Sequence, residues 1–200
     1  MNIILATTNN HKRKEFSRIL KDHTLFLPSD FALPFDFEET AETFTENSLG
    51  KARALAQIVP KGYAVLADDS GLCVDALKGQ PGVRTARYGM EVFGHLLEEH
   101  ERNEYLLKNM KDFTQIEDRS ASFVCALSLI VKSHRVFTIC ESVEGHITFE
   151  QYGKGGFGYD PVFFVTEAGK TMAELTGPEK DLYSHRGRAT RHLITLLGEL

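Results

Sequence analysis

Two spacings of apolar residues alternate along this chain. Short apolar runs cut off by Gly, Pro, Asp or Asn read as buried strands, and spacings of three and four read as one face of a helix. Residues 2–7 (NIILAT) are the first strand. A helix follows over about 10–20, with Asn9 or Asn10 as its cap and Phe16, Ile19 and Leu20 on its stripe. Residues 24–28 (TLFLP) predict a second short strand, and 29–42 an acidic, solvated loop carrying Asp36, Glu38, Glu39 and Glu42. Thr43 and Glu46 have capping-box spacing before a helix with Phe44, Leu49, Ala52, Ala56 and Val59 on its stripe and Lys51 on another face.

The middle of the chain, residues 65–88, is VLADDSGLCVDALKGQPGVRTARY. Val65-Leu66-Ala67 runs into Asp68-Asp69-Ser70-Gly71, and Leu72-Cys73-Val74 ends at Asp75. This predicts two short strands with adjacent carboxylates held at a strand end, where alternation sends Asp68 and Asp69 to opposite sides. Residues 91–111 predict an amphipathic helix, broken near Glu101, with Val92, Leu96, Leu97, Tyr105 and Leu106 on its apolar face. Residues 119–132 and 135–149 are two long strands, and Ser133-His134 is short enough to join them as a hairpin. A short strand, VFFV, follows at 162–165. Thr171 or Thr176, with Pro178, starts a helix, and a last helix turns Ala189, Leu193, Leu196, Leu197 and Leu200 inward. Parallel β-α units beside a long hairpin give an α/β fold, a mixed sheet flanked by helices.

Two hundred residues are ample for one domain with a sizeable core. A net charge of -5 argues against a general nucleic-acid binder, although local basic clusters can still hold a polyanion. No apolar run approaches a membrane span, and the opening MNIILATTNN has neither a charged region nor a cleavage site, so a cytoplasmic chain is expected. Cys73, Cys125 and Cys140 are odd in number, widely spaced and set in apolar runs. They read as buried thiols of a reducing compartment.

Some residues carry candidate chemistry. A strand entering the helix near residue 10 leaves backbone N–H groups and the positive dipole end for an anion, with Lys12 in the first turn. Asp68-Asp69, read alone, is equally an acidic turn; followed by the Gly79-Pro81-Gly82 loop with Arg84 and Arg87, it suits a metal-bound phosphate ester. The stretch 153–160 (GKGGFGYD) sets Phe157 among four glycines, either tucked inward or offered to a purine. Lys180, His185 and Arg186 sit about the start of the last helix.

The segment 65–88 closely resembles the signature of the inosine triphosphate pyrophosphatase (Ham1/RdgB-like) family. ATTNNHKRKE (6–15), GKGGFGYDPVFF (153–164) and SHRGRA (184–189) resemble the same family in order and spacing. Thr8 stands where the family usually has Gly, and His11 replaces a residue that is often Gly. The resemblance implies a single 1–200 domain of two lobes around a long mixed sheet, with the active site in the cleft. It implies hydrolysis of ITP, dITP and XTP to the monophosphate and pyrophosphate, in a homodimer, using Mg2+ or Mn2+ on Asp69 and Glu39, with Glu38 the neighbouring alternative. Asp69 is then the catalytic residue, and Asp68 holds the metal or its water shell from behind. Substrate contacts fall to Thr7, Thr8, Asn9, Asn10, His11, Lys12, Lys51, Ser70, Phe157, Gly158, Tyr159, Asp160, Lys180, His185 and Arg186. Lys12, Lys51, Lys180 and Arg186 offset the triphosphate charge, and the SHR block meets the 6-oxo group. Rival readings are a Maf-like pyrophosphatase, a regulator that binds a nucleotide without cleaving it, and a single-stranded nucleic-acid binder.

Overall fold

The computed structural model describes residues 1–132 and 135–199; Ser133 and His134, expected to join the two long strands, and Leu200 lie outside the described residues. Seven strands form a mixed sheet: β1 (Asn2–Leu5), β2 (Thr24–Phe26), β3 (Ala64–Val74), β4 (Ser120–Val131), β5 (Arg135–Ile147), β6 (Phe163–Val165) and β7 (Lys170–Thr171), in the order β2-β1-β3-β4-β5-β6-β7. The helices are α1 (Asn10–Ile19), α2 (Phe44–Ala56), α3 (Met90–Phe93), α4 (Glu99–Asn109), α5 (Gly177–Tyr183) and α6 (His185–Gly198). β1 is parallel to both β2 and β3, whereas β6 is antiparallel to β5 and β7. No helix among the described residues is long and apolar enough to cross a membrane.

The chain forms two compact units, Met1–Asp69 with Cys125–Glu141 and Arg186–Leu200, and Ser70–Val124 with Ser142–His185. In the first unit the period-two alternation of the strands sorts two cores. Ile3, Leu5, Ala64, Leu66, Cys125, Leu127 and Leu129 pack with Phe16 and Leu20 of α1 and Ala189, Leu193 and Leu197 of α6. Ile4, Ala6, Val65, Ala67 and Ile130 point the other way, against Ala52 and Leu55 of α2. In the second unit Leu72, Val74, Phe123, Val143, Ile147, Val162 and Phe163 pack with Leu106 and Met110 of α4.

Several expectations change. β3 is one continuous strand through Asp68-Asp69-Ser70-Gly71, so the carboxylates lie within a strand and not at its end. The break in the 91–111 helix falls earlier than Glu101: Gly94, at φ 77°, ends α3, and α4 starts after Glu98. Val92 and Leu96 are consequently exposed, whereas Leu97 and Leu106 are buried. Cys140 is exposed and Cys73 half-buried on their strands; of the three free thiols only Cys125 is buried. Asn9 settles the α1 cap, and Thr176 caps α5.

Candidate active site

The alternation that sorts the first unit's cores also sets its chemistry. Asp68 follows Ala64 and Leu66 onto the α1/α6 face, and Asp69 follows Val65 and Ala67 onto the α2 face. Each carboxylate therefore meets a different set of partners.

Asp68 is 3% exposed and fully committed. Lys12 Nζ donates to Oδ1 at 2.7 Å, Arg186 Nε to Oδ2 at 2.6 Å, and the Cys125 thiol lies 3.8 Å from Oδ2. Burial alone pushes this carboxyl up, but Arg186 and then Lys12 outweigh it and hold the group well below the usual carboxylate range. Asp68 thus anchors two cations in the protein. Arg186 is just as enclosed, at 2% exposure, and its Nη1 donates to Glu15 Oε2 at 2.6 Å. Burial opposes its charge, and Asp68 and Glu15 more than restore it. Its guanidinium is matched by two carboxylates inside the protein. Burial, followed by the Asp68 charge, raises the Cys125 thiol far above its ordinary value, so it stays protonated and donates to Asp68.

Asp69 lives differently. It is 4% exposed, and its Oδ2 is buried with no hydrogen-bond partner among the described residues. Burial first, then the neighbouring Glu39 charge, raises its pKa to about 6 against the pull of Lys51 and Lys12. Lys51 sits on the buried stripe of α2 with Asn47, Ser48, Ala52 and Leu55, which corrects its expected separate face. Its stem is buried, and its Nζ is paired with Glu39 and donates to the Asp68 carbonyl at 3.0 Å. Burial alternates along this loop: Leu33, Phe35, Phe37 and Glu39 are half-buried, while Pro34, Asp36 and Glu38 are exposed. Phe37 closes on α2 at Gly50, where a Cβ would stand 2.8 Å from its ring. Asn47 ties the loop down, accepting from Ala41 N at 2.9 Å.

The expected anion loop is partly self-satisfied. Asn9 Oδ1 accepts from His11 N at 2.8 Å and Lys12 N at 3.2 Å, and Thr7 Oγ1 accepts from Asn9 N at 3.1 Å. Thr8, Asn10 and His11 are exposed around them.

The second unit carries the other expected residues. Phe157 is half-buried, with Lys180 Nζ 4.7 Å from its ring centre. Asp160 Oδ2 accepts from Phe157 N at 2.8 Å and from Lys180 Nζ at 2.5 Å. Asp160 and Lys180 are 3% and 6% exposed, and their ion pair braces the loop. Gly156, at φ 74°, has to be glycine, because a Cβ would stand 1.9 Å from Asp160 Oδ2. Tyr159 is corrected from a substrate contact to a core side chain, 2% exposed, its hydroxyl donating to the Thr85 carbonyl at 3.2 Å. His185 is stacked on Phe123 at 4.7 Å and 8°, with Phe163 edge-on to the same Phe123. Ser70 lies half-buried in β3.

Sequence reasoning gave no role to Glu15, Cys125, Asn47 or Phe123. Glu15 had a signal, since it sits one helical turn after Lys12 and beside the buried Phe16. Among the described residues no group of three or more His, Cys, Asp or Glu side chains could hold a metal. Two carboxylates, Asp69 and Glu39, lie close enough that the Glu39 charge raises the proton affinity of Asp69. That donor set fits magnesium or manganese, which take one or two carboxylates and complete their shell with phosphate oxygens and water.

The Ham1 family model matches residues 3–196. The dITP/XTP pyrophosphatase of Treponema denticola is 47% identical over 189 residues, 94% of each chain, and that of Staphylococcus epidermidis 44% identical over 191 residues, 96% of this chain and 93% of the other. Among solved structures, a HAM1 protein from Coxiella burnetii superposes over 100% of both chains with a TM-score of 0.86 at 38% identity. The Ham1 protein of Staphylococcus aureus does so with a TM-score of 0.84, also at 38% identity and full coverage of both chains.

Proposed function

Because this chain belongs to the Ham1 family, we propose that it is a nucleoside-triphosphate pyrophosphatase acting on dITP, ITP and XTP. It releases pyrophosphate and leaves the monophosphate. The observation that carries this reading is Asp69: a buried carboxylate with an unmatched oxygen, beside Glu39 and close to Lys51 and Lys12, whose proton affinity in the metal-free protein is raised by burial and by Glu39. A general base works best with a pKa near the operating pH, and most carboxylates are far too acidic for that.

In this mechanism Asp69 orients a water and takes its proton as the oxygen attacks the α-phosphorus. The bond from that phosphorus to the bridging oxygen breaks, and pyrophosphate leaves with the bond electrons. Asp69 and Glu39 would hold Mg2+, or Mn2+, which screens phosphate charge and acidifies a bound water. Lys12 and Lys51 are held ready by Asp68 and Glu39, so their ammonium groups are placed before a triphosphate arrives. For base recognition, the purine stacks on Phe157 and the 6-oxo acceptor is satisfied near the SHR block. Adenine would leave such donors unpaired, which discriminates by several powers of ten.

A regulator that only binds the nucleotide has no use for a carboxylate raised towards neutrality. Residence in the cytoplasm and assembly as a homodimer belong to the same proposal. The exposed Met90, Val92, Phe93 and Leu96 are compatible with a covered face, and analytical ultracentrifugation tests it. The deciding assay is pyrophosphate release from dITP, ITP and XTP against ATP and GTP with Mg2+ present. Equal rates on all of them, or none on any, would refute the assignment.

A further inference from the structure

Helix α4 reads in the sequence as a solvated, charged helix, but it carries one buried amide. Asn103 is 2% exposed and lies one turn before the core residue Leu106, on the stripe that continues to Met110. A polar side chain on that stripe forgoes hydration; the Asn103 Oδ1 is buried with no hydrogen-bond partner among the described residues, so the amide's bonds are all made through Nδ2. Asn103 Nδ2 donates to the Gly158 carbonyl at 3.0 Å and to Gln151 Oε1 at 3.3 Å. Both partners are acceptors, which fixes the orientation of the amide.

Gly158 is the weak joint of its loop. It sits at φ 64°, and a Cβ there would meet nothing within 4 Å among the described residues, so little packing opposes a rotation of its peptide. The residues on either side are firmly tied. Phe157 N is held by Asp160 and the Phe157 ring by Lys180, while the Tyr159 hydroxyl is held by Thr85. The Gly158 carbonyl is fastened by Asn103. Because the peptide is planar, fixing that carbonyl fixes the Tyr159 N–H as well, and so orients the peptide that follows the Gly158 joint.

We propose that Asn103, through its bond to the Gly158 carbonyl, is a positioning residue that holds the Phe157–Asp160 turn in the shape that binds the purine base. The inference rests on the assignment of the base to Phe157 under the proposed function. Asn103 touches no reacting atom, so it acts on base binding and not on the attack at phosphorus.

The test is Asn103→Leu, close in volume and a good helix former but without the donor. The KM for ITP should rise on the order of tenfold, the size of one lost buried hydrogen bond. The kcat should stay within about twofold, and inhibition by inorganic tripolyphosphate, which has no base, should be unchanged. Asn103→Asp, which has the same shape but turns an acceptor towards the Gly158 carbonyl, should give the same split and serves if the leucine variant does not fold. An unchanged KM for ITP, or a KM that rises together with the tripolyphosphate inhibition constant, overturns the proposal. A wild-type protein that releases no pyrophosphate from ITP instead defeats the proposed function itself, before any variant is compared.

Discussion

Asp68 and Asp69 are neighbours in one strand, yet their carboxyls are driven in opposite directions from the same ordinary value. Asp68 faces Lys12 and Arg186 and is held strongly acidic, whereas Asp69 faces Glu39 in a buried setting and is raised to about 6. The pleat of β3 is the whole cause, since adjacent residues must address different faces. Two like residues thereby acquire different duties, one binding cations in place and the other able to take a proton near neutral pH.

We predict that Asp69→Asn, assayed for pyrophosphate release from ITP at pH 8, loses more than about 100-fold in kcat, the lower range for removal of a general base. Circular dichroism and gel filtration should show the fold unchanged. Retention of activity within a few-fold of wild type would remove Asp69 from the mechanism.

The same carboxyl makes stability depend on pH. Its folded pKa of about 6 lies above the ordinary aspartate value of 3.8, so the native state holds this proton more tightly than the unfolded chain does. The associated stability is fully present below about pH 4 and is lost as pH rises through 6. In urea titrations without divalent metal, Asp69→Asn should exceed wild type by up to about 3 kcal/mol above pH 7, with the gap closing by pH 4. A gap independent of pH would mean that burial and Glu39 do not act on Asp69 as described.

Much of this was legible in the chain. The period-two runs of β1 and β3 foretold that Asp68 and Asp69 would part, and the capping-box spacing at Thr43 placed α2 correctly. The partners of Arg186 were not legible. Placing a cation at the start of α6 suggested a ligand, but the two carboxylates that neutralise it lie 171 and 118 residues away in sequence, and no local pattern reports such a meeting. Asn103 was hidden for a related reason: surrounded by charge in sequence, it looks solvated until the stripe 103, 106, 110 is seen to be buried. Lys51 was misplaced because a buried stripe wide enough to hold Ala52 also takes in the adjacent position, with the lysine stem counting as apolar surface.

Arg186 joins two buried carboxylates, so its removal leaves both without their shared partner. We predict that Arg186→Met destabilises the protein by about 3–5 kcal/mol in denaturant titration, the cost of breaking a buried pair from one side. The double variant Glu15→Gln/Arg186→Met should recover part of that loss, because one stranded charge is then gone. Additive effects of the two substitutions would show that Glu15 and Arg186 do not act as a pair.

The choice between Glu38 and Glu39 can be made by experiment. The loop runs extended over α2 with Leu33, Phe35 and Phe37 half-buried, which turns Glu39 inward beside Lys51 and Asp69 and leaves Glu38 exposed. Under the proposed function, removing the Glu39 charge takes away a metal ligand, and it also lowers the Asp69 pKa, since Glu39 is the second largest influence raising it. Glu39→Gln should therefore raise the Mg2+ concentration for half-maximal rate by about ten- to a hundredfold, the range seen when groups supporting a metal are removed. Glu38→Gln should match wild type. Direct Mn2+ binding, followed by electron paramagnetic resonance on the resting protein, should rank the variants in the same order without any turnover. If Glu38→Gln instead shifts the metal requirement and Glu39→Gln does not, the alternation of this loop has been assigned to the wrong face.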